Sequence, residues 1–321
     1  MTPRTVTLTV GAAPHWRTRN SVARLHLAMI LALAPAALLG AVGHAFGPKA
    51  AALDGAFGPL NAIIRELTIA MGVDSAVLWL FGILGTVALA MGVAVLVEYG
   101  CQVAMRQRYH AMDGHGALMG MLLALMMPPT VPWWVLIIGV AAAIFIGKQL
   151  YGGLGGYPMH PAVVGWLVLL LSFPNHVYPV GAASIAAPSE LAVLATAVGG
   201  LALWWLGHIR LEIPTGVLVA VVLFSLLFGS KLHGGVIDQL MTGHVMLAAF
   251  FLATDTTSSP SNRVPMLLFG FGVGTMIMLI RAFGIWPDAA PFAVMLMNAI
   301  FPLLDRIRPQ RKTLVPREVS P

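Results

Sequence analysis

An aspartate and a run of hydroxyl residues end an apolar stretch in the second half of the chain. Asp255 is followed by Thr-Thr-Ser-Ser at 256–259, and the stretch 243–254 before it is mostly apolar. Polar backbone beside an apolar span is tolerated at membrane depth only where protein or a cavity covers it. We therefore predict a binding or ion site within 254–262; the alternative is a polar turn at a membrane surface.

Glu98, Lys148 and Arg281 also stand at the ends of apolar runs. A charge at the centre of a bilayer costs roughly 2.5–3.5 kcal/mol, so each of these residues needs a partner or a function. For Lys148 and Arg281 the alternative is that a long side chain reaches the lipid headgroups. We predict an ion path that includes Asp255, Lys148 and Glu98.

The segment 151–161 reads YGGLGGYPMHP, and its glycines would let a flat ligand approach the backbone closely. It lacks the strand–helix context of a dinucleotide fingerprint and the lysine–hydroxyl pair of a P-loop. The ten histidines show no metal-ligand spacing, and the single cysteine, Cys101, can pair with no other in this chain. The sequence therefore predicts no metal site and no catalytic residue.

Composition decides the class of protein that must position these residues. Of 321 residues, 59% are hydrophobic and 9% are charged, against about 25% charged in soluble domains. The mean hydropathy of +0.87 agrees. A soluble enzyme and a nucleic-acid binder are excluded, despite a net charge of +6. We predict an all-α polytopic membrane protein.

Apolar runs bounded by proline, glycine or charge predict about ten transmembrane helices, three of them short. The predicted segments are 25–46, 76–98, 117–129, 132–147, 161–173, 188–206, 213–229, 243–254, 264–281 and 290–305.

Lysine and arginine set the predicted orientation of these segments. With both termini cytoplasmic, 14 of the 18 basic residues lie inside and 4 outside, as the positive-inside rule requires. This predicts a cytoplasmic segment 1–24, a transmembrane domain 25–305 and a basic cytoplasmic tail 306–321. The extracytoplasmic segment 47–75 fits an interfacial helix or an ordinary loop helix equally well.

The two halves of the transmembrane domain show a weak internal repeat, about 25–174 and 188–305. The third segment of each half is short and breaks, at Pro128-Pro129 in the first and before Pro260 in the second. Five spans per half would place the two copies in opposite directions across the membrane. Matching broken helices in two halves are typical of a membrane binding site.

Several motifs are specific enough to identify a family. The segments GKQLYGGLG at 147–155, FFLATDTTSSPSNR at 250–263 and IRAFGIWPDAAPFAVMLMNAIFPLLD at 280–305 are similar, in this order, to the D-type subunit of the Rnf electron-transport complex. That subunit is the relative of the B-type subunit of the sodium-pumping NADH:quinone reductase. The resemblance covers residues 20–308 with one large gap.

The resemblance implies ten helices in two inverted halves. It implies a subunit, not catalytic alone, of a bacterial inner-membrane complex that couples electron transfer between NADH and ferredoxin to ion translocation. Its implied partners are Rnf subunits of the A, B, C, E and G types and the lipid bilayer, with no nucleic acid. Two alternatives stay open, namely a scaffold or assembly subunit without a redox role, and a channel or transporter on the same fold.

The expected flavin sites depart from the family pattern. Members carry flavin phosphate on the threonine of a Ser-x-Ala-Thr-Pro stretch, but 184–188 reads SIAAP, with Ala187 at the acceptor position. Alanine has no hydroxyl, so covalent FMN is not expected. Tyr157 and His160 replace asparagines of the family, yet both can stack on a flavin or hydrogen-bond to it. Non-covalent FMN or riboflavin thus stays open, with the candidate residues Tyr151, Gly152, Tyr157, His160, Thr254 and Asp255.

Overall fold

The computed structural model describes residues 21–46, 75–106, 113–178, 184–186, 190–232, 234–284, 286 and 288–307. Within these ranges the regular elements are all helical, which confirms the predicted all-α class. The predicted segments 1–24, 47–75 and 306–321 lie wholly or largely outside the described residues. The helices are α1 Val22–Phe46, α2 Ser75–Ala104, α3 His115–Met126, α4 Trp133–Phe145, α5 Pro161–Ser172, α6 Pro174–Val177, α7 Glu190–Trp205, α8 Glu212–Leu227, α9 Val236–Met241, α10 Val245–Leu247, α11 Arg263–Phe283 and α12 Ala290–Leu304.

The lengths and composition of these helices make the chain a multi-pass membrane protein. Four apolar stretches of helix, Val22–Ala45, Leu80–Ala104, Trp133–Tyr151 and Arg263–Phe283, are long enough to cross a bilayer. Five further apolar helices in the described residues have 10–17 residues. Large apolar side chains on their outer surfaces are exposed, as a lipid-facing surface requires. Examples are Leu96 at 70%, Leu171 at 75% and Trp205 at 84%.

Proline and a local change of helix type create the short helices. Helix α3 stops at Met126, ahead of Pro128-Pro129, because a proline ring offers no backbone donor. Helix α5 begins with Pro161 in its first turn, where a missing donor costs nothing. Helix α10 has three α-helical residues and continues as a π-helical turn, Ala248–Leu252. This short segment therefore ends before Pro260, as predicted from the sequence.

The two broken helices form the centre of the bundle. Helix α3 is buried on nearly every side and packs against α1, α2, α4 and α5. The π-helical turn Ala248–Leu252 is buried at every residue and packs against α7, α8 and α12. Both segments are apolar on every side, as expected for a helix enclosed by other helices.

The same pairs of helices pack together in each half of the chain. In the first half α2 contacts α4 and α4 contacts α5; in the second half α8 contacts α11 and α11 contacts α12. The halves meet where α1 packs on α7 and α5 on α12. The α8–α11 contact depends on glycine, since a Cβ at Gly270 would overlap the Ile213 carbonyl. Small residues at such crossings let membrane helices pack with their backbones in contact.

Candidate functional site

The Tyr157 hydroxyl joins the two polar segments that the sequence predicts as sites. Tyr157 is 2% exposed. His115 Nε2 donates to the hydroxyl at 3.0 Å, and the hydroxyl donates to Asp255 Oδ1 at 3.1 Å. The His26 ring packs edge-to-face on the His115 ring at 4.9 Å between centroids. We call His26, His115, Tyr157 and Asp255 the Tyr157 cluster; it links α1 and α3 to the loop after the π-helical turn.

A glycine-rich loop brings Tyr157 to this position. After the 3₁₀ turn Gln149–Tyr151, the glycines Gly152, Gly153 and Gly155 have φ of 91°, 93° and 92°. Only glycine adopts this left-handed region without strain, so the chain can turn tightly at each of these positions. These turns place Tyr157 inside the protein, against His115.

Asp255 is fixed by the hydroxyl residues that follow it. Its Oδ2 accepts hydrogen bonds from the Ser258 amide at 3.1 Å and from the Ser258 hydroxyl at 3.0 Å. The Ser259 hydroxyl donates to the Asp255 carbonyl at 2.6 Å, and the Thr254 hydroxyl donates to the Phe250 carbonyl at 2.6 Å. These bonds form a tight turn around the carboxylate. Part of the hydroxyl run therefore holds Asp255 in place.

Glu98 and Lys148 form a buried ion pair beside the Tyr157 cluster. Lys148 Nζ donates to Glu98 Oε1 at 2.5 Å, and both side chains are 1% exposed. The same oxygen accepts from Gln102 Nε2 at 3.1 Å. Glu98 Oε2 lies against Gly116, where a Cβ would overlap it. The alternative that Lys148 extends to the lipid headgroups is therefore wrong.

Arg281 lies in another part of the bundle from this ion pair. Its guanidinium donates to the carbonyls of Gln239 and Thr242, at 2.6 and 2.7 Å. It is therefore held by backbone oxygens at the end of α9.

The residues predicted to bind flavin fall into two groups. Tyr151, 52% exposed, and Gly152 lie on the open face of the loop. Tyr157, His160 and Thr254 are buried, and Asp255 is half-buried. A flat ring can therefore lie on the loop against Tyr151 and the Gly152 backbone. Tyr157 and His160 are held inside the protein and would contact such a ring only after a rearrangement of the loop.

His160 connects the loop to α12 through its backbone. With the Asn298 amide oriented to satisfy its neighbours, Asn298 Oδ1 accepts from the His160 amide at 3.0 Å. Asn298 Nδ2 donates to the Ser258 carbonyl at 3.1 Å. The 151–161 loop and the Asp255 turn are thus joined twice, by Tyr157 and by Asn298.

Burial keeps two loop side chains uncharged. It lowers the pKa of His160 below its usual value of 6.5, an effect that the Asp255 carboxylate partly opposes. It raises the pKa of the Tyr157 phenol well above its usual value, and the neighbouring Asp255 charge raises it further. Both groups are therefore neutral at pH 7.

Several buried polar atoms near the Tyr157 cluster have no hydrogen-bond partner among the described residues. They are Glu98 Oε2, His115 Nδ1, both amide atoms of Gln149 and both ring nitrogens of His160. Such atoms are costly when unsatisfied and fit bound water or a polar ligand. In the described part of the chain no group of three or more His, Cys, Asp or Glu side chains could hold a metal ion.

Sequence reasoning missed His115, Gln149 and Asn298. His115 follows a glycine, Gly114, whose φ is 76°, and His244 follows Gly243, whose φ is 63°. The signal in the sequence that could have identified His115 is a Gly-His pair, which occurs at the start of each broken helix.

The segment 184–186 closes the broken end of α3. The Ile185 amide donates to the Met127 carbonyl at 2.9 Å, and the Ala186 amide donates to the Leu125 carbonyl at 3.0 Å. His44 Nε2 donates to the Ser184 carbonyl at 3.1 Å. These donors satisfy carbonyls that a helix end leaves free. The next residue, Ala187, lies outside the described residues.

Comparison with known proteins places the chain in a family. The model of the NQR2, RnfD, RnfE family matches residues 9–188 and 180–313, which is nearly the whole chain. The chain belongs to the NQR2, RnfD, RnfE family. The resemblance of its loop and Asp255 motifs to that family is thereby confirmed.

Individual members of the NQR2, RnfD, RnfE family agree. The D-type subunit of an ion-translocating oxidoreductase complex from Ectopseudomonas mendocina is 35% identical over 290 residues, covering 72% of this chain and 84% of that protein. The subunit of the same name from a Pseudomonas aeruginosa strain is 32% identical over 289 residues, covering 71% and 83%. The D-type subunit of a Na⁺-translocating ferredoxin:NAD⁺ oxidoreductase complex from Acetobacterium woodii is 29% identical over 339 residues, covering 95% and 94%.

Proposed function

We propose that this chain is the D-type membrane subunit of an Rnf-type complex, which couples electron transfer between NADH and ferredoxin to ion translocation. The relatives named above, each matched over most of its length, support this assignment. The structural observation that carries it is the chain of hydrogen bonds from His115 through Tyr157 to Asp255, beside the buried Glu98–Lys148 pair. Ionisable groups enclosed in a membrane bundle mark ion or proton paths by default.

The proposed architecture is ten transmembrane helices in two inverted repeats, 25–174 and 188–305. The repeated packing of second on fourth and fourth on fifth helix in each half supports it, as do the contacts of α1 with α7 and of α5 with α12. If a two-fold axis relates the halves, the first helix of one half meets the first helix of the other, and the last helix meets the last. The proposed location is the bacterial inner membrane with both termini cytoplasmic, supported by the basic residue count.

The proposed ion path enters between the 151–161 loop and the Asp255 turn. Asp255 is half-buried and receives the Tyr157 hydroxyl, so it is the carboxylate through which an ion would pass from solvent to the interior. Lys148 neutralises Glu98, and a shift of the lysine would free a buried carboxylate to accept a cation. The unpartnered atoms of His115 and Gln149 line the same region and could hold the water that such a path needs.

We propose that the chain holds no covalent flavin, because Ala187 stands at the position of the family's acceptor threonine. A non-covalent flavin fits the open face of the loop, where the Tyr151 ring and the Gly152 backbone would hold it. Bound there, a flavin would supply electron transfer, and the chain would orient its ring and cover one face. The partners that bring the other redox centres would be further Rnf subunits.

Purification from the host tests the assignment. A tagged copy solubilised in mild detergent should bring flavoprotein and iron–sulfur subunits in fixed ratio, and this complex should exchange electrons between NADH and ferredoxin. A chain that purifies without redox partners would contradict the proposal. Solute uptake by proteoliposomes that contain this chain alone would favour the alternative that the chain is a channel or transporter.

Two charge-neutralising variants separate an ion path from a scaffold. Asp255→Asn and Lys148→Gln should reduce ion translocation by the assembled complex at least tenfold. The matched control is Glu190→Gln, which neutralises an exposed carboxylate at the start of α7. Normal translocation by assembled Asp255→Asn and Lys148→Gln complexes would mean that the subunit is a scaffold.

A further inference from the structure

A second cluster of buried polar and charged groups lies at the other end of the bundle. Arg281 follows Arg263 by eighteen positions in α11, which is about 27 Å along the helix axis. The Asp255 turn precedes Arg263, so Arg281 and Asp255 lie near opposite ends of this helix. Around Arg281, Gln239, His244 and Asp288 are 6%, 4% and 6% exposed. We call Gln239, His244, Arg281 and Asp288 the His244 cluster.

Arg281 provides a fixed positive charge in the His244 cluster. Besides the two carbonyls described above, its guanidinium donates to Gln239 Oε1 at 3.1 Å. A Cβ at Gly243 would lie 3.0 Å from Arg281 Nη2 and 3.1 Å from Asp288 Oδ1. The glycine therefore lets the cation and the carboxylate face each other closely across its backbone.

Asp288 holds the His244 ring in one orientation. Its Oδ1 accepts the Ala290 amide at 3.2 Å, which ties the carboxylate to the start of α12. Its Oδ2 contacts His244 Nδ1, which donates to it. Nδ1 therefore carries the ring proton in the neutral imidazole, and Nε2 is left with a free lone pair.

His244 Nε2 is buried and has no hydrogen-bond partner among the described residues. The ring sits at the start of α10, near the Leu125 carbonyl at the broken end of α3. The charged groups that face the ring are Asp288, from the loop before α12, and Arg281, from α11. A buried basic nitrogen without a partner, beside a carboxylate, is suited to bind and release a proton.

The His244 cluster repeats features of the site around His115. In both, a buried histidine follows a glycine of positive φ at the start of a short buried helix. In both, the histidine hydrogen-bonds a residue from the loop before the last helix of its half, Tyr157 in one case and Asp288 in the other. A basic residue, Lys148 or Arg281, stands near each histidine.

We propose that His244, with Asp288, is a proton-binding site on the opposite side of the membrane from Asp255. A proton adds to Nε2, and the adjacent carboxylate stabilises the imidazolium; Arg281 opposes this charge, so that the proton leaves again from the same nitrogen. The inference rests on the proposed ion-translocating function and specifies the proton as the ion handled at this site.

The test compares complexes in inverted membrane vesicles, with electron transfer and internal acidification measured together. In His244→Gln complexes, acidification driven by electron transfer should fall at least fivefold, in sodium-free buffer and with a sodium ionophore present. Asp288→Asn, which keeps an acceptor for the Ala290 amide, should lower acidification similarly. The control is His208→Gln, because His208 lies in a surface turn with Nδ1 near the Leu206 carbonyl.

The outcomes are distinguishable. Acidification at the wild-type rate by an assembled His244→Gln complex overturns the inference, and so does a wild-type complex that accumulates sodium without acidification. A wild-type complex that transports neither ion overturns the proposed function instead. If the complex with His244→Gln does not assemble, the acidification measured with the Asp288→Asn complex decides instead. The full-length wild-type chain with ¹⁵N-labelled histidine should also show a titrating Nε2 signal that Asp288→Asn shifts; a signal that does not change with pH contradicts the inference.

Discussion

The Tyr157 hydroxyl donates to Asp255 Oδ1 at 3.1 Å and so joins two segments that are 98 positions apart in the chain. The bond connects the glycine-rich loop of the first half to the hydroxyl-rich turn of the second. Each segment is positioned by its own half, since left-handed glycines turn the loop and Ser258 closes the turn. A change in the packing of the two halves would therefore act on this bond and on the bond from the His160 amide to Asn298.

Tyr157→Phe should destabilise the chain by about 1–3 kcal/mol, because His115 Nε2 and Asp255 Oδ1 both lose a buried partner. Thermal unfolding of the purified chain in detergent measures the effect. Tyr151→Phe removes the same hydroxyl from a side chain that is 52% exposed, and should leave the unfolding temperature unchanged. Equal effects of the two substitutions would contradict the buried position of the Tyr157 hydroxyl.

Breaking the Glu98–Lys148 pair from either side should cost about 3–5 kcal/mol, because one buried charge then lacks its partner. The double variant Glu98→Gln/Lys148→Met should lose less stability than either single variant, and a double-mutant cycle by denaturant unfolding gives the coupling energy. Arg263→Gln is the control, since Arg263 is 85% exposed in its contact with Glu212 and should change stability by less than about 1 kcal/mol. Additive single effects would show that the two charges do not interact.

Gly120→Ala should destabilise the bundle by about 1–3 kcal/mol, because the new Cβ would overlap the Ala90 carbonyl where α3 crosses α2. Gly92 lies in α2, and a Cβ there meets nothing within 4 Å, so Gly92→Ala should stabilise the chain by roughly 0.5–1 kcal/mol. Unfolding temperatures of the two variants should therefore move in opposite directions. If both substitutions raised the unfolding temperature, α2 and α3 would be farther apart than described.

The buried His160 ring should make stability depend on pH. Its folded pKa lies below the usual 6.5, so above that pH the ring is neutral in both folded and unfolded chains. As pH falls below 6.5 the unfolded chain takes up the proton first, and stability falls by up to about 1.4 kcal/mol per pH unit until the folded pKa is reached. Melting curves between pH 5 and 8 should be flatter for His160→Asn than for wild type. An unchanged slope in His160→Asn would contradict the prediction.

The denatured chain should have the mass of its sequence, 34.0 kDa, without an added flavin phosphate. The reason is chemical, since the alanine at position 187 offers no oxygen for a phosphoester. Intact-mass spectrometry gives the answer directly. Ala187→Thr, made in the same host, restores the hydroxyl and is the variant in which a heavier species is expected. A flavin on the wild-type chain would show that another hydroxyl is the acceptor.

The apolar runs predicted the helices well, because each run must be buried in lipid or in protein and few polar residues interrupt it. Pro128-Pro129 and the polar stretch before Pro260 also marked the ends of the two short helices correctly. The charged residues at span ends were recognised as candidates for an ion path. What the sequence could not supply was their pairing, since Glu98 and Lys148 are 50 positions apart.

The histidines show the limit of local patterns. His115 bonds Tyr157 across 42 positions and His244 contacts Asp288 across 44, and neither spacing resembles a known ligand motif. Both contacts follow from how the loop before the last helix of each half folds back on the start of a broken helix. That fold depends on packing between distant helices, which periodicity does not encode.

The short stretch 184–186 has a consequence for how the chain could be divided. Its amides bind carbonyls at the end of α3, so this link between the halves belongs structurally to the first of them. If the gene were split and the two polypeptides coexpressed, a cut after residue 186 would leave the amino-terminal fragment with its own closing peptide. A cut before residue 184 would place that peptide at the free amino-terminal end of the other fragment. The two polypeptides would then form a working protein only if this free end bound the end of α3.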